Sequence, residues 1–224
     1  MNKPSVDQER IILAQKRATS IVERYLAMHE NEILHQKINL GTINKLEGYE
    51  MLKEFARDPK TGIPRADLLQ ISLEYEIALS TNNGQPFTII VFDADHFKDI
   101  NTELTHLGGD RVLKKIAEII QHNVRTSDNI LWADDTAVIR WGGEEFVVVL
   151  TGTDLNGARL VAERIRLAIA EELVGFRPDK KIITISGGVA EWTTPSNLDW
   201  QGLLQAADMK LMAAKKQGRN RIIS

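Results

Sequence analysis

The 224-residue chain contains no cysteine. That absence excludes disulfides, thiolate metal sites and a cysteine nucleophile, and it makes a reducing compartment the natural setting. Long hydrophobic runs are also missing: the longest apolar stretches, such as Phe87 to Phe92, are far too short to cross a bilayer. The first residues, MNKPSVDQER, carry no apolar signal core, so a cytoplasmic location without membrane association is expected. Positive charge is not in excess either, since 28 Lys and Arg stand against 31 Asp and Glu, a net charge of −3. No global basic field exists to hold a polyanion by counterion release, so DNA is not an expected partner, while a local phosphate site remains compatible. Neither a GxxxxGK[ST] loop nor a GxGxxG turn occurs, which argues against P-loop and Rossmann chemistry. The five histidines show no metal-binding spacing, and there is no internal repeat or low-complexity segment.

What is present is the balance of a globular protein with a core, 43% hydrophobic and 26% charged residues. Between residues 7 and 56 there is no proline, and Ile11, Ala14, Ala18, Ile21, Tyr25 and Met28 alternate at spacings of three and four. This is the seam of a coiled coil or of a helix packed on a partner. Residues 1–56 are therefore expected to form a short helical region with a regulatory or dimerising role, and helices folded back on the main domain are the equal alternative. The turn-rich run Asp58-Pro59-Lys60-Thr61-Gly62-Ile63-Pro64 marks the start of the main domain, residues 57–224. From there the pattern predicts a helix over 66–80, a buried strand over 87–92 and a helix over 108–123. Short strands at 130–133, 137–141 and 145–150 follow, the last two joined across Gly142-Gly143. A helix over 155–173, a strand over 181–186, a helix over 200–216 and a strand over 221–223 complete the order. Strands alternating with helices, with one central hairpin, give an α/β (α+β) sandwich in which helices flank a mixed sheet.

Asp93-Ala94-Asp95 follows the apolar strand directly, and alternation along an extended chain puts both carboxylates on the same side. A second acidic pair, Glu144-Glu145, follows the Gly142-Gly143 turn. If the two strands are neighbours, three or four carboxylates meet at one edge of the sheet, a donor set suited to hard divalent cations and substrate phosphates. The glycines permit close backbone approach there.

Taken together these residues resemble the GGDEF family, the diguanylate cyclases. Arg140-Trp141-Gly142-Gly143-Glu144-Glu145-Phe146 is similar to the family signature in its GGEEF form, and FDADHFKDINTELTHLGGD, residues 92–110, to its FDxDxFKxIND…GHxxGD segment. AKKQGRNRI, residues 214–222, resembles the AKxxGRNRV tail, and Asp58, Thr61 and Gly62 match the leading DxLTGLxNR motif. The resemblance implies a palm-like nucleotidyl-cyclase domain that condenses two GTP into cyclic di-GMP and pyrophosphate across a homodimer. It implies two Mg²⁺ per active site, with Mn²⁺ as an alternative, held by Asp93, the Ala94 carbonyl, Glu144 and Glu145, and makes Asp93, Glu144 and Glu145 the catalytic residues. The roles of Glu144 and Glu145 are not separated. It also implies phosphate contacts from Lys98, Lys215, Arg219, Gly142 and Gly143, and guanine contacts from Asn101 and Asp110. An aspartate can accept from guanine N1–H and N2–H₂, which adenine cannot satisfy, so retention of Asp110 argues for GTP.

The chain departs from the pattern in several places. Arg65 and Ala66 stand at the Asn-Arg positions of the leading motif, Thr102 ends the IND run, and Thr105 replaces the glycine before His106. Where relatives carry the Arg and Asp of an RxxD product-inhibition site this chain has Ala133 and Thr136; an RxxD occurs upstream instead, at Arg125 and Asp128. A displaced inhibitory site there is one expectation, and an ordinary solvated helix end is the other. Two rival functions stay open: a catalytically silent GGDEF module that binds GTP or cyclic di-GMP, and a cyclic GMP-AMP synthase. A regulatory protein acting through the N-terminal helices is an expected partner.

Overall fold

A computed structural model of the protein describes residues 56–124, 138–177 and 181–224. The expected N-terminal helices, the strand at 130–133 and the Arg125–Asp128 motif lie outside the described residues. A 3₁₀ turn, Ala66–Leu68, leads into α1, Leu69–Asn83; then follow β1, Phe87–Ala94, and α2, Phe97–Asn123. The hairpin strands β2, Val138–Arg140, and β3, Glu145–Thr151, precede α3, Leu155–Glu172. The chain closes with β4, Ile185–Trp192, α4, Trp200–Lys216, and β5, Ile222–Ile223.

The five strands form one sheet in the order β2-β3-β1-β4-β5. β1 lies at the centre and pairs antiparallel with both β3 and β4, while β4 and β5 run parallel. Every residue of β1 is buried, Thr88 and Asp93 included, and its largely apolar sequence suits a strand covered on both faces. Alternate residues supply two separate cores. Ile89 and Val91 pack with Val147 and Val149 beneath α1 and α4, through Leu69, Leu73, Leu203, Ala207 and Leu211. Ile90 and Phe92 pack with Phe146 and Val148 beneath α2 and α3, through Ile100, Val112, Ile116, Val161 and Ile165. The mixed, helix-flanked sheet expected from the sequence is therefore present. α3 and α4 each begin at an aspartate whose Oδ1 accepts the amide of the third helical residue, Asp154 from Gly157 and Asp199 from Gly202, both at 2.8 Å.

Two segments differ from the sequence reading. The fourth strand spans Ile185–Trp192 rather than 181–186, because Gly187-Gly188 lies in its interior instead of ending it. A Cβ at Gly188 would lie 2.0 Å from the Ala207 carbonyl oxygen and 2.4 Å from the Leu211 amide nitrogen. Gly188 is thus what lets α4 sit directly on the strand, while a Cβ at Gly187 would meet the Ile222 and Phe92 side chains. The helix expected from residue 108 starts at Phe97 and is broken once, at Thr105, with φ 65° and ψ 170°. That conformation is one that glycine adopts readily and a β-branched residue does not, so Thr105 stores strain between two helical limbs.

Gly188→Ala is expected to destabilise the protein by about 3 kcal/mol, since the neighbouring atoms are backbone and cannot rotate away, whereas Gly143→Ala, where a Cβ meets nothing within 4 Å, is expected to leave the denaturation midpoint nearly unchanged. Thr105→Gly is expected to stabilise by about 1 kcal/mol, the relief of strain exceeding the entropy that glycine loses on folding. Chemical denaturation of the three variants beside the parent protein checks all three outcomes.

Candidate active site at the open end of the sheet

The antiparallel register of β1 and β3 sets Asp93 directly opposite Glu145, and Asp93 opposite Ser186 of β4 on its other side. One residue further, the Ala94 amide donates to the Glu144 carbonyl at 3.2 Å. The backbone ladder therefore brings Asp93, Ala94, Glu144 and Glu145 together, as the two acidic pairs suggested. Asp93 is 7% exposed, and the Lys215 ammonium lies 2.8 Å from its Oδ2. Burial pushes the Asp93 carboxyl up to about 6; Lys215 opposes the shift, while the charges of Glu144 and Glu145 add to it. Glu145 is also raised, first by burial and then by Asp208 and Glu144, against Lys215. No three acidic or histidine side chains among the described residues are gathered closely enough to hold one ion. The donor set is nonetheless all oxygen, half-buried and mutually repulsive, which is the chemistry a hard divalent cation would satisfy.

The hairpin between β2 and β3 is closed at its base by the Trp141 amide donating to the Glu145 carbonyl at 3.0 Å. A Cβ at Gly142 would stand 2.8 Å from Glu145 Oε2, so glycine there leaves room for that carboxylate. Arg140 holds the loop from below: its guanidinium donates to the Gly142 carbonyl at 3.3 Å and to the Gly143 carbonyl at 2.6 Å. The same guanidinium donates to Asp58 Oδ1 at 2.7 Å. Asp58 Oδ1 also accepts the Thr61 amide at 2.9 Å and the Thr61 hydroxyl at 2.7 Å. Burial acts to raise the Asp58 carboxyl, but these bonds and the Arg140 charge outweigh it, and the group rests below the usual carboxylate range.

Asn101 and Asp110 lie on opposite sides of the break at Thr105, and the fold draws them back together. A Cβ at Gly109 would fall 1.9 Å from Asn101 Oδ1, so the Asn101 amide group rests on the Gly109 backbone. Asp110 Oδ1 accepts from Lys60 Nζ at 2.7 Å. Lys98 is exposed on the first turn of α2. Arg219 sits in a left-handed turn, φ 61°, after α4, and its amide donates to the Ala214 carbonyl at 3.0 Å.

Asp95 keeps to the side of Asp93, bonding Ser186, the cross-strand partner of Asp93, but its carboxylate is taken up by structural hydrogen bonds. β1 ends at Ala94, and the Asp95 amide still donates to the Thr184 carbonyl at 2.9 Å. The Asp95 carboxylate accepts the Thr184 and Ser186 hydroxyls, both at 2.7 Å, and the Asn220 amide at 3.0 Å. It anchors the C-terminal turn that carries Arg219. The sequence reading also gave no role to Lys60 or Asp208. Asp208 stands seven residues before Lys215 on α4, and that helical spacing was the available signal; nothing in the sequence announced Lys60.

The family described as Diguanylate cyclase, GGDEF domain, matches residues 55–221. The chain is 38% identical over 165 residues to diguanylate cyclase DgcP of Pseudomonas aeruginosa, covering 74% of this chain but only 23% of that protein. Among solved structures it is similar to the active GGEEF domain of a diguanylate cyclase from Vibrio cholerae, with 32% identity, a TM-score of 0.61, and coverage of 69% of this chain and 92% of that one. It is also similar to diguanylate cyclase SiaD of Pseudomonas aeruginosa, solved with its activator SiaC, with 28% identity, a TM-score of 0.67, and coverage of 97% of this chain and 81% of that one. A matched segment that spans most of the chain, together with the signature loop closed over paired strand ends, means that the chain belongs to the GGDEF-domain family of diguanylate cyclases.

Proposed function

We propose that this chain is an active diguanylate cyclase, joining two GTP into cyclic di-GMP with release of two pyrophosphates. The observation that carries the reading is the register of Asp93 against Glu145 with Lys215 on Asp93, which keeps every carboxylate of the signature at one strand end. A silent receptor module would be expected to lack one of them. In each half-reaction a ribose 3′-hydroxyl loses its proton and attacks the α-phosphorus of the other nucleotide, and the bond from that phosphorus to the β-phosphate oxygen breaks. Glu145, whose carboxyl burial holds above the usual carboxylate range, is the group we assign to accept that proton. Mg²⁺, or Mn²⁺ in its place, when held by Asp93, the Ala94 carbonyl, Glu144 and Glu145, would neutralise phosphate charge and favour the ionised hydroxyl.

The remaining residues bind and orient. Lys215 and Arg219 present positive charge to the triphosphate, with Lys98 nearby on α2, and Gly142 and Gly143 let backbone approach the phosphates. Asn101 and Asp110 read the guanine edge, which favours GTP over a mixed substrate. Because the product is two-fold, two such sites must face each other, so we place the working form as a homodimer. The division at residues 56 and 57, with 1–56 serving dimerisation or regulation by a protein partner, is part of the same proposal. SiaD, similar over 97% of this chain, is solved with a protein activator, which supports that role for a partner. No described helix is long and apolar enough to cross a membrane.

Purified protein incubated with GTP and Mg²⁺ is expected to yield cyclic di-GMP, and Glu145→Ala is expected to lose at least about a hundredfold in rate while still binding GTP in a filter assay. GTP bound without product in the parent protein would transfer support to a receptor module, and mixed product in the presence of ATP to a cyclic GMP-AMP synthase. A second expectation concerns pH. The Asp93 carboxyl near 6 is raised above its free value, so the fold favours the protonated form, and that contribution to stability is lost as pH rises through about 6. A cation needs the ionised form, so Mg²⁺ affinity measured by calorimetry should fall by up to about tenfold per pH unit below 6, and Asp93→Asn should flatten the profile.

A further inference from the structure

The break at Thr105 divides α2 into a short limb, residues 97–104, and a long one, residues 106–123. The long limb is fixed by Val112, Leu113, Ile116, Ile119 and Ile120 in the core. The short limb carries Asn101, is about two turns long, and gains no direction from helix continuity across the break. Its apolar anchors, Phe97 and Ile100 with Leu104 behind them, all meet the same core cluster and leave the opposite flank to polar contacts.

On that flank stands Glu103. The Arg177 guanidinium meets it as a fork, Nε donating to Oε2 at 3.0 Å and Nη2 donating to Oε1. The Arg177 side chain is 6% exposed and that of Glu103 29%. Arg177 follows directly on the turn that ends α3, where the Val174 amide donates to the Glu171 carbonyl and the Phe176 amide to the Leu173 carbonyl. Leu173 is fully buried, so the backbone carrying Arg177 is held by the core. A two-point fork transmits orientation as well as distance, which a single ammonium contact does not.

We propose that Arg177 is a positioning residue for nucleotide selection: through its fork on Glu103 it fixes the short limb of α2 and thereby sets Asn101 against the guanine edge. The inference rests on the reading of Asn101 and Asp110 as the base-reading pair. Two cations from outside α2 then act on its two limbs, Lys60 on Asp110 itself and Arg177 on Glu103, two residues after Asn101. Neither cation touches the nucleotide in this arrangement. Loosening the fork lets the limb pivot at Thr105, and discrimination by the base edge weakens before phosphate binding does.

The test compares dissociation constants for GTP and for ITP, whose base lacks the exocyclic 2-amino group, by calorimetry on the full chain. The proteins are the parent, Asn101→Ala, Glu103→Gln, Arg177→Lys and the reversed pair Glu103→Arg with Arg177→Glu, each with a thermal melt to establish folding. Glu103→Gln is expected to reduce the GTP preference over ITP by about tenfold, to approach the Asn101→Ala value, and to leave ITP affinity within about twofold. Arg177→Lys should be intermediate, and the reversed pair should recover part of the preference. A collapsed preference in Asn101→Ala with a parental preference in folded Glu103→Gln would overturn the role of the fork while leaving the base reading intact. An unchanged preference in Asn101→Ala would overturn the base reading, and the proposal with it.

Discussion

Asp93, Glu144 and Glu145 repel one another at the end of a sheet whose interior is otherwise apolar, and most of the surrounding structure answers that repulsion. Left alone, three carboxylates at such a site would take up protons or move apart. Here the β1–β3 ladder forbids separation, and Lys215 supplies a positive charge on Asp93. The Asp93 carboxyl still rises to about 6, chiefly because burial strips its water, with Glu144 and Glu145 adding to the shift against Lys215.

A second set of contacts works through the turn at residues 58–62. Asp58 gathers Thr61 and Arg140 on a single oxygen, and Arg140 passes the constraint on to the Gly142 and Gly143 carbonyls. The Arg140 amide donates to the Pro64 carbonyl at 2.8 Å, so turn and strand are also joined by backbone. Lys60 in the same turn reaches Asp110. One turn thus braces both the acidic loop and the long limb of α2. The departures at Arg65 and Ala66 leave this bracing intact, since Asp58, Lys60 and Thr61 make the contacts.

The elements that read clearly in the sequence are those dominated by one local signal. α4 spans residues 200–216 as expected because its apolar spacing and the Asp199 cap agree, and β1 reads from a largely apolar run. β4 did not, because Gly187-Gly188 looks like a breaker until the close approach of α4 is known, a tertiary fact with no local trace. The same holds at the site. The pairing of Asp93 with Glu145 follows from two strand ends and could be anticipated. The capture of Asp95 by the Asn220 amide depends on a turn 125 residues away. Arg177 and Glu103, 74 residues apart, likewise meet only in the folded chain.

That separation has a consequence for how the protein comes into being. The centre of the sheet is laid down by β1, yet its second neighbour, β4, and the helix that brings Lys215 to Asp93 arrive only near the end of the chain. Such long-range closures raise the contact order and delay the last steps of folding. During synthesis the acidic strand ends therefore exist without their ammonium partner, and a nascent chain holds an unneutralised cluster rather than a nucleotide site. Competence for chemistry arrives together with the completed sheet, so a half-made chain is not a half-active one.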